Sequence, residues 1–190
     1  MKSSVFQIPK PVSITARTSA ITNAFINSII PVEYPTEDEI KEALSVLGMS
    51  EETIRCAYCG SPHTEWDHLF PLVKGKHPTG YITEIHNLVP CCGKCNQSKG
   101  NKNWLLWMTS DAKLSPKSRG VVDIDERIEK LKEYERRFER KCLNIENIVG
   151  QDNWEIHMRN LKELHEKMVS SQEFAKVLNE KLKAAYKNSI

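Results

Sequence analysis

The chain of 190 residues has no apolar run approaching the roughly 18 to 20 residues that a membrane-crossing helix needs, and this argues against a membrane role. Aromatic residues are sparse at 7%, and there are only eight glycines. No internal repeat is found. That excludes collagen-like, solenoid and low-complexity classes. Net charge is also small, +2. A uniformly basic nucleic-acid coat is therefore absent. The N-terminus lacks a secretory pattern: its best apolar stretch is broken by Asn23 and Asn27, so a cytoplasmic location is expected. The remaining composition is that of an ordinary folded protein.

Six cysteines are present, and four fall in two Cys-x-x-Cys pairs, Cys56/Cys59 and Cys92/Cys95, with thirty-two residues between the pairs. Without a secretory signal this spacing favours a tetrahedral zinc site over disulfides. Cys91 adjoins a ligand and competes for its place, but Cys92 repeats the two-residue gap of the first pair. Cys142 is expected to pack in the core on the apolar side of a helix. Positive charge is concentrated around the motif. Residues 74–119 sum to +6 and the rest of the chain to −4, a distribution suited to phosphate neutralisation.

Local patterns divide the chain into an N-terminal extension (1–50), a zinc-stapled core (51–110) and a C-terminal helical region (111–190). A short helix is predicted within Ile14–Ile30. Thr36 and Glu39 form a capping box ahead of the apolar face Ile40, Ala43, Leu44 and Leu47, with Gly48 as the stop. Ser50 to Arg55 reads as a short helical turn. Trp66–Val73 and Tyr81–Pro90 read as strands, and a helix is expected from Asn96 onward, weakened by Gly100. Farther on, Ile124, Ile128, Leu131, Phe138 and Cys142 make one apolar stripe. Trp154, Met158, Leu161 and Met168 make a second. Ser170 and Glu173 suggest a new cap before Phe174, Val177, Leu178 and Leu182. These stripes are expected to be packing faces.

Between the cysteine pairs lie Asp67-His68 and Asn87-Leu88, and Cys95 is followed by Asn96-x-x-Lys99. A zinc staple alone needs none of these. In this order they resemble the HNH, or ββα-metal, endonuclease family, over about fifty residues from Cys56 to Met108. The resemblance implies an α+β fold with a zinc-stapled ββα-metal core and helical segments on both sides. It also implies a phosphodiester hydrolase. His68 is suited to be the general base, because its ordinary pKa lies near working pH. Asp67 and Asn96 each offer an oxygen to a catalytic Mg²⁺ or Mn²⁺. Neighbours in a strand point to opposite faces, so Asp67 and His68 share a site only if the backbone bends there. The resemblance gives Asn87 a scaffolding role and makes the four-cysteine Zn²⁺ structural.

Lys99, one helical turn after Asn96, is the first candidate for contacting phosphate, followed by Lys94, Lys102, Lys74 and Lys76. His86 is an additional candidate with a structural reading ahead of it. His63 and His77 read as exposed loop residues, and His157 and His165 as unrelated to the site. The expected substrate is double-stranded DNA and the expected role that of a restriction-type or related defence enzyme, with a homodimer as one route to cutting both strands. The alternatives are a homing or phage-type nickase, a nonspecific nuclease of DNA or RNA, and a zinc-stabilised binding module without catalysis.

Overall fold

The computed structural model describes residues 8–189. The chain divides into two compact units, residues 26–148 and the two terminal segments on either side of it. The expected boundaries at 50 and 110 do not coincide with this division. The buried cluster of the central unit draws Ala43 and Leu47 from before residue 50. It draws Ile128, Leu131, Tyr134 and Phe138 from beyond residue 110.

In the central unit, helix α2 (Glu37–Val46) begins as expected: Thr36 Oγ1 accepts from the Glu39 N–H while the Glu39 carboxylate accepts from the Thr36 N–H at 2.7 Å. Strand β1 (Glu65–His68) pairs antiparallel with β4 (Leu88–Cys91), in a register that sets Glu65 opposite Cys91 and His68 opposite Leu88. The chain between them carries a small hairpin, β2 (Val73–Lys74) and β3 (His77–Pro78). Both main strands are shorter than the sequence suggests. The first ends at His68, where buried Asn87 takes over the backbone groups of Phe70. The second starts only after a 3₁₀ turn at Ile85–Asn87.

Helix α3 (Gly93–Lys99) starts three residues before the expected Asn96, because Cys92 already has the extended geometry of an N-cap. It stops at Gly100, whose φ of 51° and ψ of −127° only glycine adopts readily. A separate helix, α4 (Trp104–Met108), follows with Asn103 as its cap. Residues 50–55 form a hydrogen-bonded turn, not a helical segment.

Helix α5 (Ile124–Arg137) closes over the core, and the Tyr134 hydroxyl serves the carbonyls of Ile85 and Leu88 at 2.7 and 3.0 Å. Since α5 ends before Phe138, Cys142 lies outside any helix. It is exposed in an isolated bridge to Tyr81, and the expectation of a core position is corrected. Helix α6 (Ile145–Val149) is a short element that follows.

The terminal unit joins α1 (Thr18–Asn27), up to Phe25, to the 38-residue α7 (Gln151–Asn188). The segment 14–25 runs antiparallel to α7. The Ile14 N–H donates to Gln172 Oε1 at 2.6 Å, Thr22 meets His165 at 3.1 Å, and Phe25 lies 4.4 Å from the His157 ring. No new helix begins at Ser170. Its hydroxyl bonds back to the Lys167 carbonyl at 3.0 Å, so it cannot cap. Leu161 and Met168 are buried as expected of a packing face. Phe174, Val177, Leu178 and Leu182 are 44–69% exposed, and for them that expectation is corrected.

Candidate active site and metal centre

The first cysteine knuckle is a tight turn. The Gly60 N–H closes on the Cys56 carbonyl at 2.8 Å, and the Ala57 N–H binds the Pro90 carbonyl at 2.8 Å on the free edge of β4. Gly60 takes a φ of 73°, a conformation that a side chain resists. β4 delivers Cys92 and α3 delivers Cys95. The ligand atoms of Cys56, Cys59, Cys92 and Cys95 all lie within 4.8 Å of one another, and Cys91 is not among them.

A tetrahedral ion with Zn–S bonds of about 2.3 Å requires S···S separations of about 3.8 Å. The Cys59–Cys92 separation is 3.7 Å. The residues therefore fit zinc. Protons oppose such crowding. The hydrogen bond with Cys59 is the main reason the Cys56 thiol is pushed up to about 12, while Cys59 is pushed far down, chiefly by its hydrogen bond with Cys56. A divalent cation is what lets all four ionise together. Four thiolates leave no open position, as in structural sites. Arg119 adds a counter-charge that spacing did not reveal: its Nη2 donates to Cys95 Sγ at 2.9 Å.

The Asp67-His68 pair sits at the end of β1. Asp67 is 6% exposed, and its Oδ2 accepts from the Tyr58 hydroxyl at 2.7 Å and faces Lys99 Nζ at 3.0 Å. Burial pushes the Asp67 carboxyl upward while Lys99 and Tyr58 pull it back. The net effect is a carboxyl held above its ordinary range, with burial the largest cause.

Lys99 is itself fully buried and also donates to the His68 carbonyl at 2.7 Å. It does not reach solvent, so its expected phosphate contact is corrected. One turn after Asn96, it faces β1 instead. Asn96 does the same from the middle of the helix, its Nδ2 donating to Glu65 Oε2 at 2.9 Å. The i, i+3 pair on α3 thus meets the i, i+2 pair on β1, as the comparable rises of about 4.5 and 6.6 Å permit.

His68 points away from this row. Its Nε2 meets Thr83 Oγ1 at 2.9 Å. Burial, helped by Lys99, pushes its pKa down to about 4, so the ring is neutral near pH 7. No hydrogen bond joins Asp67, His68 and Asn96 to one another, and β1 pairs regularly through both members of the dipeptide.

Asn87 is fully buried and staples the chain after β1. Its Oδ1 accepts from the Phe70 N–H at 2.9 Å, and its Nδ2 donates to the Phe70 and Ile82 carbonyls at 3.1 and 3.2 Å. His86 stacks on Phe138 at 4.5 Å, in a packing position. Lys94 and Lys102 are exposed, and Lys102 Nζ also closes the C-terminal end of α3 through the Ser98 carbonyl at 2.6 Å. Sequence reading missed Tyr58, Thr83, Glu65 and Arg119. Tyr58 alone carried a signal, as a large aromatic inside the cysteine knuckle.

Comparison with known proteins agrees with this geometry. The HNH endonuclease family matches residues 56–102. The CRISPR-associated endonuclease Cas9 of Corynebacterium diphtheriae is 35% identical over 85 residues, a match that covers 36% of this chain and 8% of the Cas9. The chain thus spans under a tenth of that relative. No solved structure matches. Among the described residues no helix is long and apolar enough to cross a membrane. Residues 56–102 of this chain match as an HNH endonuclease domain, with four cysteines placed to hold a metal ion.

Proposed function

We propose that the chain is a metal-dependent endonuclease that hydrolyses phosphodiester bonds of double-stranded DNA, in a restriction-type or related defence role. The observation that carries the reading is a half-buried His68 beside Asp67, on a strand locked by Lys99 and Asn96 to a helix that begins at Gly93 and carries Cys95. In the tautomer whose Nε2–H donates to the Thr83 hydroxyl, Nδ1 keeps the lone pair that would take a proton from water.

Asp67 and Asn96 are the residues that would hold Mg²⁺ or Mn²⁺. Their oxygen donors suit a hard cation, as the closed thiol cluster does not. When bound, that cation supplies charge stabilisation at the scissile phosphate and the leaving oxygen. Asn87 keeps its support of the loop after His68. Exposed Lys94 and Lys102, with Lys74 and Lys76 on the hairpin, are the proposed contacts to the DNA backbone.

One such site cuts one strand. Duplex cleavage then needs a second copy or sequential nicking. The exposed residues Phe174, Val177, Leu178 and Leu182 on α7 are the face we assign to a homodimer. A cytoplasmic setting, where thiols stay reduced, suits the cysteine cluster.

The test is incubation of supercoiled plasmid and genomic DNA with Mg²⁺, followed by sequencing of the fragment ends. Discrete fragments sharing one short motif support the restriction-type role. A smear or nicked circles keep the nuclease and shift the reading to a nonspecific nuclease or a nickase.

A further inference from the structure

Lys99 is a buried charge that the proposed chemistry leaves unused. Its ammonium is 0% exposed and faces three acceptors: the His68 carbonyl at 2.7 Å, Asp67 Oδ2 at 3.0 Å and the Gly100 carbonyl at 3.3 Å. Three N–H donors are thereby answered, and none remains for a phosphate. The pair is not explained by packing. An apolar side chain of similar volume fills such a space without desolvating a charge.

The same ammonium touches both members of the Asp67-His68 dipeptide, while Tyr58 holds Asp67 Oδ2 from another direction at 2.7 Å. Asn96 has its amide nitrogen committed to Glu65. Of the two proposed ligands, Asp67 keeps Oδ1, on a carboxylate already paired with a positive charge, and Asn96 keeps its neutral Oδ1, beside the Glu65 carboxylate.

We infer that Lys99 is a positioning residue that takes the cation's place in the free protein, fixing Asp67 and neutralising it, so that a hard cation binds weakly until the substrate phosphate adds its own negative charge. This deepens the proposed function and rests on its assignment of Asp67 as a cation ligand. Loading of the site is thereby tied to the presence of nucleic acid. A nuclease built this way keeps its hydrolytic cation low when no substrate is bound.

The experiment is a Mn²⁺ titration of the zinc-loaded full chain, read by the electron paramagnetic resonance signal of free Mn²⁺, without nucleic acid. Removing a unit charge this close to a divalent site should tighten binding on the order of tenfold or more. Lys99→Gln, which can still donate to the His68 carbonyl, and Lys99→Met are expected to show that gain. Lys99→Arg keeps the charge and is expected to bind as weakly as the wild type. A merely structural lysine would lower stability without raising affinity, so Lys99→Gln or Lys99→Met binding no tighter than wild type overturns the inference.

A second arm uses Lys99 intact, in the His68→Ala chain, with and without a short DNA duplex. Tightening by the duplex is required, and its absence also overturns the inference, whether or not the neutral variants fold. Asp67→Asn tests the underlying reading separately. If it binds Mn²⁺ as well as wild type, Asp67 is not a ligand, and the assignment of the site fails independently of Lys99.

Discussion

The seven-residue helix α3 has a different buried ionic arrangement at each end. Toward its start, Cys95 joins three other thiols in a crowded cluster suited to a metal ion. At its end, Lys99 forms an ion pair with Asp67 that is complete without one. Both arrangements pin the helix to the β1–β4 ribbon, one through β4 and the first knuckle, the other through β1. On the proposed function, the difference separates two metal roles on one short helix. The thiol end is closed and holds the frame. The oxygen end, on the proposed reading, offers weak, partly neutralised donors to a cation that comes and goes with substrate.

The largest expected effect lies at the thiol end. Cys59→Ser should abolish zinc retention and cooperative unfolding of the central unit, because metal binding there is folding free energy comparable to a domain's whole stability, about 5–15 kcal/mol. Circular dichroism and zinc content check this. A folded, metal-free Cys59→Ser protein would erase the contrast between the two ends.

Asn87→Ala comes next, at roughly 2–4 kcal/mol by chemical denaturation, since it leaves the Phe70 N–H and the Phe70 and Ile82 carbonyls without their buried partner. The loss should fall on the segment after β1 and leave zinc content unchanged.

Arg119→Ala sharpens the comparison at the thiol end. Removing the donor to Cys95 should weaken zinc binding by about 10–100-fold in competition with a chromophoric chelator, with the fold retained.

The smallest effect concerns the terminal unit, which has no metal arrangement of either kind among its described residues. His157 packs against Phe25 and Trp154, and burial holds its pKa below the ordinary value. The unfolded chain therefore binds that proton first. The associated stability is present above about pH 6.5 and is lost as pH falls through the depressed value. The melting temperature should drop modestly between pH 7 and 5, and the drop should shrink in His157→Phe.

The thiol end was legible in the sequence because ligand geometry fixes the cysteine spacing. The Thr36–Glu39 cap and the α5 stripe were legible for the same reason: a local rule ties residue type to position. The Lys99–Asp67 pair was not. An Asn-x-x-Lys spacing places both residues on one helical face but does not say whether that face meets solvent or a strand. Cys142 was misplaced because the stripe of α5 continues in sequence past the point where Phe138 turns extended. Ser170 reads as a cap by composition, yet helical flanks on both sides of it absorb the signal.

The most direct test of the account is cleavage of supercoiled plasmid with Mg²⁺ by the wild-type chain and by His68→Ala, with zinc content and DNA binding measured on the same preparations. His68→Ala is expected to lose roughly 10²–10⁴-fold in cutting rate, as for removal of a general base, with zinc and binding retained. Cutting by His68→Ala within a few-fold of wild type would contradict it.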